Sequence, residues 1–157
     1  MSEEKSLIEQ LIASGKTLAT AESCTGGLIG KLLTDVSGSS AAYLGGIISY
    51  SNEVKHHVLG VPQELLDTYG AVSAQVAKAM AEGAKRVIGA DLAVSVTGIA
   101  GPKSDNTNKP VGLVYIAVTD GVTTDVQEYH FSGDRQQIRN ATAQTALSKV
   151  SSFMARL

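Results

Sequence analysis

The sequence predicts an α/β protein, a five-stranded mixed sheet between helical layers, mostly parallel with one strand antiparallel. Short β-branched runs alternate with helix-period segments through the first two thirds of the chain. Glycine-containing corners follow the early strands, and one late strand pair is joined by Asp120-Gly121, a dipeptide suited to a two-residue type I′ hairpin. The 157 residues suit one domain, 1–157.

Taken in order, Ser6–Ile12 sets Leu7, Ile8, Leu11 and Ile12 on one helical face, and Gly15 can end that helix. Thr17–Ala21 reads as the first strand. Gly27–Val36 reads as a helix with Leu28, Ile29, Leu32 and Leu33 inward. Ser37-Gly38-Ser39-Ser40 is turn-like, and Gly45–Ser51 is a second strand. Ser51 starts a helix through Lys55, His56 and His57 that Gly60 stops; Pro62 opens another ending at Gly70. Ser73 caps a helix over 74–88 whose inward stripe is Val76, Met80, Val87 and Ile88. Asp91–Val96 is the third strand and Thr97–Pro102 a loop, followed by a polar stretch, Lys103–Pro110, expected to be mobile. Strands over 111–119 and 122–131 form the hairpin. Asp134 then helps open a last helix with Ile138, Thr142, Thr145, Val150 and Phe153 along one face.

Composition excludes several classes. A net charge of −2 without a basic, aromatic-laced patch argues against nucleic-acid binding. No apolar run is long enough to cross a membrane, and MSEEKSLIEQ is not a signal peptide, so a cytoplasmic protein is expected. The single cysteine cannot form an intrachain disulfide. Three histidines lack ligand spacing with Asp or Glu, so neither metal nor cofactor is expected.

In an open α/β sheet, ligands bind beyond the carboxyl ends of parallel strands. Three corners meet that condition: Glu22-Ser23-Cys24-Thr25, Tyr50-Ser51-Asn52 with Lys55, and Thr97–Gly101. A serine needs a base, and a lysine serves once burial disfavours its charge. Moving a lysine from about 10.4 to about 7.5 costs roughly 4 kcal/mol, so the pocket must be dry. Lys55 is the candidate base and Tyr50 its relay. Read by spacing alone, however, Lys55 is a solvated helix residue and Tyr50 a strand-end aromatic. Cys24 is a rival nucleophile, more simply read as core, and Glu22 can bind substrate, hold the corner or act as base. The helix start at Thr25-Gly26-Gly27 offers N–H donors for an anion. Arg135 and Arg139, one turn apart, can clamp phosphate, with Ser39 and Ser40 as further donors.

TAESCTGGLIGKLLTDVSGSS, GGIISYSNEVK, LGV, GAVS, TGIAGP, KPVG and FSGDRQQIR occur in an order that closely resembles the C-terminal domain of the competence/damage-inducible CinA family, the nicotinamide-mononucleotide amidases. The resemblance implies a three-layer α/β/α sandwich and hydrolysis of the carboxamide of nicotinamide mononucleotide to nicotinate mononucleotide and ammonia. By motif position it implies Ser23 as nucleophile, Lys55 as general base and Tyr50 as its partner. It also implies roles for Ser40, Thr97 and Arg135, with Arg139 beside them. Relatives often carry an additional N-terminal domain, and this chain is expected to hold the amidase-like one alone. After Gly101-Pro102 it reads KSDNTN where relatives often have more glycine, so closure over substrate is expected to differ. A homodimer is expected. The competing expectations are a nucleotide-binding or competence-related regulatory module without turnover, and a different ribosyl amide as substrate.

Overall fold

In a computed structural model of the chain, residues 1–104 and 107–157 are described; the expected mobile stretch 103–110 lies partly outside them. The elements run α1 (Glu3–Ser14), β1 (Leu18–Glu22), α2 (Leu28–Thr34), a 3-10 turn (Ser39–Ala41), β2 (Tyr43–Ile48), α3 (Asn52–His57), α4 (Gln63–Tyr69), α5 (Ala74–Ile88), β3 (Leu92–Gly98), β4 (Leu113–Thr119), β5 (Thr124–His130) and α6 (Arg135–Ala155). Local chemistry sets several of these boundaries. Ser2, Ser73 and Asp134 accept backbone N–H groups at the starts of α1, α5 and α6, the last through a reciprocal box with Gln137. Gly15 ends α1 in the left-handed conformation.

The sheet order is β2-β1-β3-β4-β5. β1 is parallel to both neighbours, and β4 is antiparallel to both of its own, so four strands share one direction and β4 opposes them. From β1 the chain passes through α2 to β2 on one side, then crosses back through α3, α4 and α5 to β3 on the other. That reversal leaves a crevice at the C-terminal end of β1. Glu22 pairs with Ile48 of β2 and with Val96 of β3, which brings the three expected corners to one sheet edge.

The two faces of the sheet carry side chains of different size. Leu18, Val94, Ile116 and Val118 pack under α1, α2 and α6 with Leu7, Leu11, Ile29, Leu33, Ile138 and Val150. Each such fully buried aliphatic contributes about 1.5–3 kcal/mol. The opposite face presents Ala19, Ala21, Ala93 and Ala117 to α5, whose own contact surface includes Ala77, Ala81 and Ala84. Small residues on both sides let this helix approach the sheet closely.

Two local expectations are corrected. Asp120-Gly121 does not make a two-residue turn: β4 and β5 are joined by residues 120–123, because the Asp120 carboxylate accepts the Val122 and Thr123 N–H groups and closes a wider loop. Val87 is 52% exposed rather than inward, since the alanines of α5 already fill the space against the sheet.

Gly83 of α5 lies against the backbone of Leu59, in the connector between α3 and α4, and a Cβ there would collide with the Leu59 carbonyl oxygen. Gly83→Ala should therefore destabilise the protein by about 1–3 kcal/mol, although alanine favours a helix by about 1 kcal/mol. Urea denaturation checks this; an unchanged or higher midpoint contradicts the packing described.

Candidate active site

Ser23 is the first residue beyond β1, and only 7% of it is exposed. Lys55 arrives from α3, a short helix capped where Ser51 accepts the Val54 N–H. The chain is then turned back by Val61 N–H donating to the Lys55 carbonyl, and Val61 O bonds His56 Nδ1 at 2.7 Å. So fixed, the Lys55 side chain runs inward and is 1% exposed. Its Nζ lies 3.0 Å from Ser23 Oγ, 2.7 Å from the Ser49 carbonyl and 3.1 Å from the Tyr50 carbonyl. As an ammonium it donates to all three. As a neutral amine it has two N–H bonds and one lone pair, so the two carbonyls hold the hydrogens and the lone pair faces the Ser23 hydroxyl. Burial pushes the Lys55 pKa from 10.5 down to about 8, which makes the neutral form accessible near physiological pH.

The other candidates at this corner are differently engaged. Burial pushes the Cys24 thiol up to about 11, so it stays protonated and unreactive. Glu22, 2% exposed, caps α2: Oε1 accepts from Thr25 Oγ1 at 2.6 Å, Ile29 N at 2.9 Å and Gly27 N at 3.2 Å, and Oε2 accepts from Gly30 N at 3.0 Å. The Gly26 N–H donates to the Ser23 carbonyl. At the expected anion site of Thr25, Gly26 and Gly27, the Gly26 and Gly27 N–H groups thus already have acceptors, whereas the Thr25 N–H has none among the described residues. The Thr25 hydroxyl and the glycine donors serve a resident carboxylate and the turn itself, and none of the three residues lines the cleft.

A cleft of about 380 Å³ opens above the pair, lined among others by Ser23, Tyr50, Lys55, Thr97 and Arg135. Tyr50 is 65% exposed, lines the cleft and meets Lys55 through its carbonyl rather than its phenol. Thr97 is buried and donates to the Ala71 carbonyl, fixing the wall Gly70–Val72. Lys109 braces the same wall, with Nζ donating to the Tyr69 and Val72 carbonyls. Arg135 donates to the Gly101 carbonyl at the cleft. Arg139 instead grips the Cys24 and Thr25 carbonyls. Ser39 and Ser40 sit before β2, at the sheet end opposite Ser23, so one chain does not bring them to the cleft. Asn52, from the Tyr50-Ser51-Asn52 corner, lines the cleft together with Gly70, Ala71, Val72 and Thr107; the last four were not singled out, although the GAVS block contained three of them. Among the described residues no cluster of three or more His, Cys, Asp or Glu side chains could hold a metal, and no helix is long and apolar enough to cross a membrane.

Burying Lys55 makes stability depend on pH. Below pH 8 the amine is protonated folded and unfolded, and folding carries the full desolvation cost. Between about 8 and 10.5 the unfolded chain keeps the proton that the folded one has released, so stability rises with pH. Compared with Lys55→Met, the wild type should gain about 3 kcal/mol across that window. Denaturant titrations of both proteins at pH 7 and pH 10.5 measure it; a constant difference contradicts a buried, depressed lysine.

The family model for the CinA C-terminal domain matches residues 1–154. A CinA-like protein of Geobacter sulfurreducens is 57% identical over 133 residues, which cover 85% of this chain and 32% of that protein. A putative competence-damage inducible protein of Desulforudis audaxviator is 46% identical over 153 residues, covering 98% and 37%. The chain therefore spans about a third of the length of these relatives. Among solved structures, a competence-damaged protein (CinA) superfamily protein from Klebsiella pneumoniae superimposes with a TM-score of 0.96 at 31% identity, covering 99% of this chain and 97% of that one. The competence/damage inducible protein CihA from Agrobacterium tumefaciens gives 0.89 at 41% identity, covering 97% and 96%. With the family model matching nearly its whole length, relatives 46% and 57% identical over most of it, and a solved superfamily structure superimposing at a TM-score of 0.96, the chain belongs to the CinA C-terminal domain family.

Proposed function

We propose that this domain is a nicotinamide-nucleotide amidase that hydrolyses the carboxamide of nicotinamide mononucleotide to nicotinate mononucleotide and ammonia, in pyridine-nucleotide salvage. The observation that carries this reading is the buried Lys55 amine 3.0 Å from Ser23 Oγ, its remaining hydrogens held by two main-chain carbonyls. The motif blocks that resemble the nicotinamide-mononucleotide amidases supply the choice of substrate. The cleft volume falls within the range that small-molecule sites occupy.

In the reaction, neutral Lys55 takes the Ser23 proton as Oγ bonds to the amide carbon, giving a tetrahedral oxyanion. The Lys55 ammonium returns a proton to the amide nitrogen, the C–N bond breaks, and ammonia leaves an acyl ester on Ser23. Water enters; Lys55 takes its proton as the oxygen attacks the ester carbon, then gives that proton to Ser23 Oγ as the acid departs. Arg135, with its guanidinium at the cleft, is the ligand for the substrate phosphate. A cytoplasmic homodimer working without metal or cofactor belongs to the same reading.

Ser23→Ala should lower ammonia release from nicotinamide mononucleotide by at least about 1,000-fold. Wild-type kcat/KM should rise with pH and level off above about 8, as Lys55 loses its proton. Arg135→Met should raise KM for the mononucleotide about tenfold or more while affecting the phosphate-free riboside less. Nucleotide binding with no ammonia from the wild type would favour the regulatory-module reading instead.

A further inference from the structure

The corner that carries Ser23 is built on intrinsically loose backbone. Gly26 and Gly27 have φ values of 60° and 107°, a region where glycine is free to move and other residues are strained. Glu22 restrains the corner from its N–H side, through Gly27, Ile29 and Gly30. Its carbonyl side is held from a distant element. Arg139 of α6 donates from Nε to the Cys24 carbonyl at 3.0 Å and from Nη2 to the Thr25 carbonyl at 2.8 Å. The absent side chain of Gly26 makes room for this contact, since a Cβ there would lie 3.3 Å from Arg139 Nη2.

Peptide planarity then fixes where the donors point. In a trans peptide the N–H is opposed to the carbonyl of the preceding residue. With the Cys24 and Thr25 carbonyls drawn to Arg139, the Thr25 and Gly26 N–H groups face away from it. The Gly26 N–H marks that direction, since it reaches back to the Ser23 carbonyl. Among the described residues the Thr25 N–H has no acceptor.

We propose that Arg139 is a positioning residue for the hydrolysis: its two-pronged grip on the Cys24 and Thr25 carbonyls holds Ser23 against Lys55 and turns the corner's N–H side toward the nucleophile. This rests on the Ser23–Lys55 reading above and assigns Arg139 to the chemical step rather than to substrate phosphate. Lysine cannot replace it, because a single ammonium lacks the planar fork that meets two carbonyls at once.

The test is the rate at which an alkyl fluorophosphonate labels Ser23, read by mass spectrometry, because labelling requires an activated serine whatever the natural substrate. Arg139→Met should label about tenfold or more slowly than wild type, Arg139→Lys should fall between, and added guanidinium should restore Arg139→Met. Arg156→Met, at the far end of α6, should label at the wild-type rate. With nicotinamide mononucleotide, kcat should fall in Arg139→Lys by a similar factor while KM stays within about threefold. Labelling of Arg139→Lys at the wild-type rate, or a raised KM with unchanged kcat, overturns the proposal. An unlabelled wild-type Ser23 overturns it as well. A wild type that is labelled yet releases no ammonia defeats only the amidase reading, and the labelling series still decides the role of Arg139.

Discussion

One buried carboxylate organises the reactive end of the molecule. A charge removed from water is tolerable only when fully hydrogen-bonded, and Glu22 meets that condition by taking the hydroxyl of Thr25 and three N–H groups at the start of α2. Its own main-chain carbonyl accepts both the N–H and the hydroxyl of Ser49. Ser49 in turn accepts from Lys55, which meets Ser23, the residue next to Glu22. The chain of contacts closes on itself within one short loop of space. It spans β1, the end of β2 and α3, three elements that sequence separates and the sheet order reunites.

The same carboxylate explains why the start of α2 is not an anion site. Unpaired N–H groups at a helix start will take the nearest acceptor, and here the acceptor is part of the chain. A phosphate or oxyanion would have to displace a tethered, buried partner. In the proposed reaction, charge recognition falls instead to a side chain, Arg135 at the cleft.

Much of the architecture was legible because it rests on local signals: the serine and aspartate caps, the glycine stops and the alternation of periods set nearly every element. The Asp120 turn misled because a carboxylate two and three residues upstream of the N–H donors it accepts from outweighed the backbone preference of the Asp-Gly pair. At the site, the corners were legible from strand direction, while side-chain fates were not. Arg135 and Arg139 look equivalent at one-turn spacing, yet their bonds go to Gly101 in one case and to Cys24 and Thr25 in the other. Spacing made Lys55 a surface residue; what buries it is the Val61 return and the packing of the following connector on Gly83, both long-range facts. The wall Gly70–Val72 was hidden for a similar reason, since its residues matter only once Thr97 and Lys109 suspend them beside Ser23.

That suspension has a consequence for how such a domain can diversify. The Ser23–Lys55 pair, proposed to make and break bonds, hangs from the end of β1 and from α3, whereas the facing wall hangs from a β3 threonine and a lysine beyond it. Two scaffolds with separate anchors can be edited separately. Exchanging the small residues of one bank would reshape which guests fit, leaving the machinery on the other bank untouched, so new selectivities can arise without reinventing reactivity.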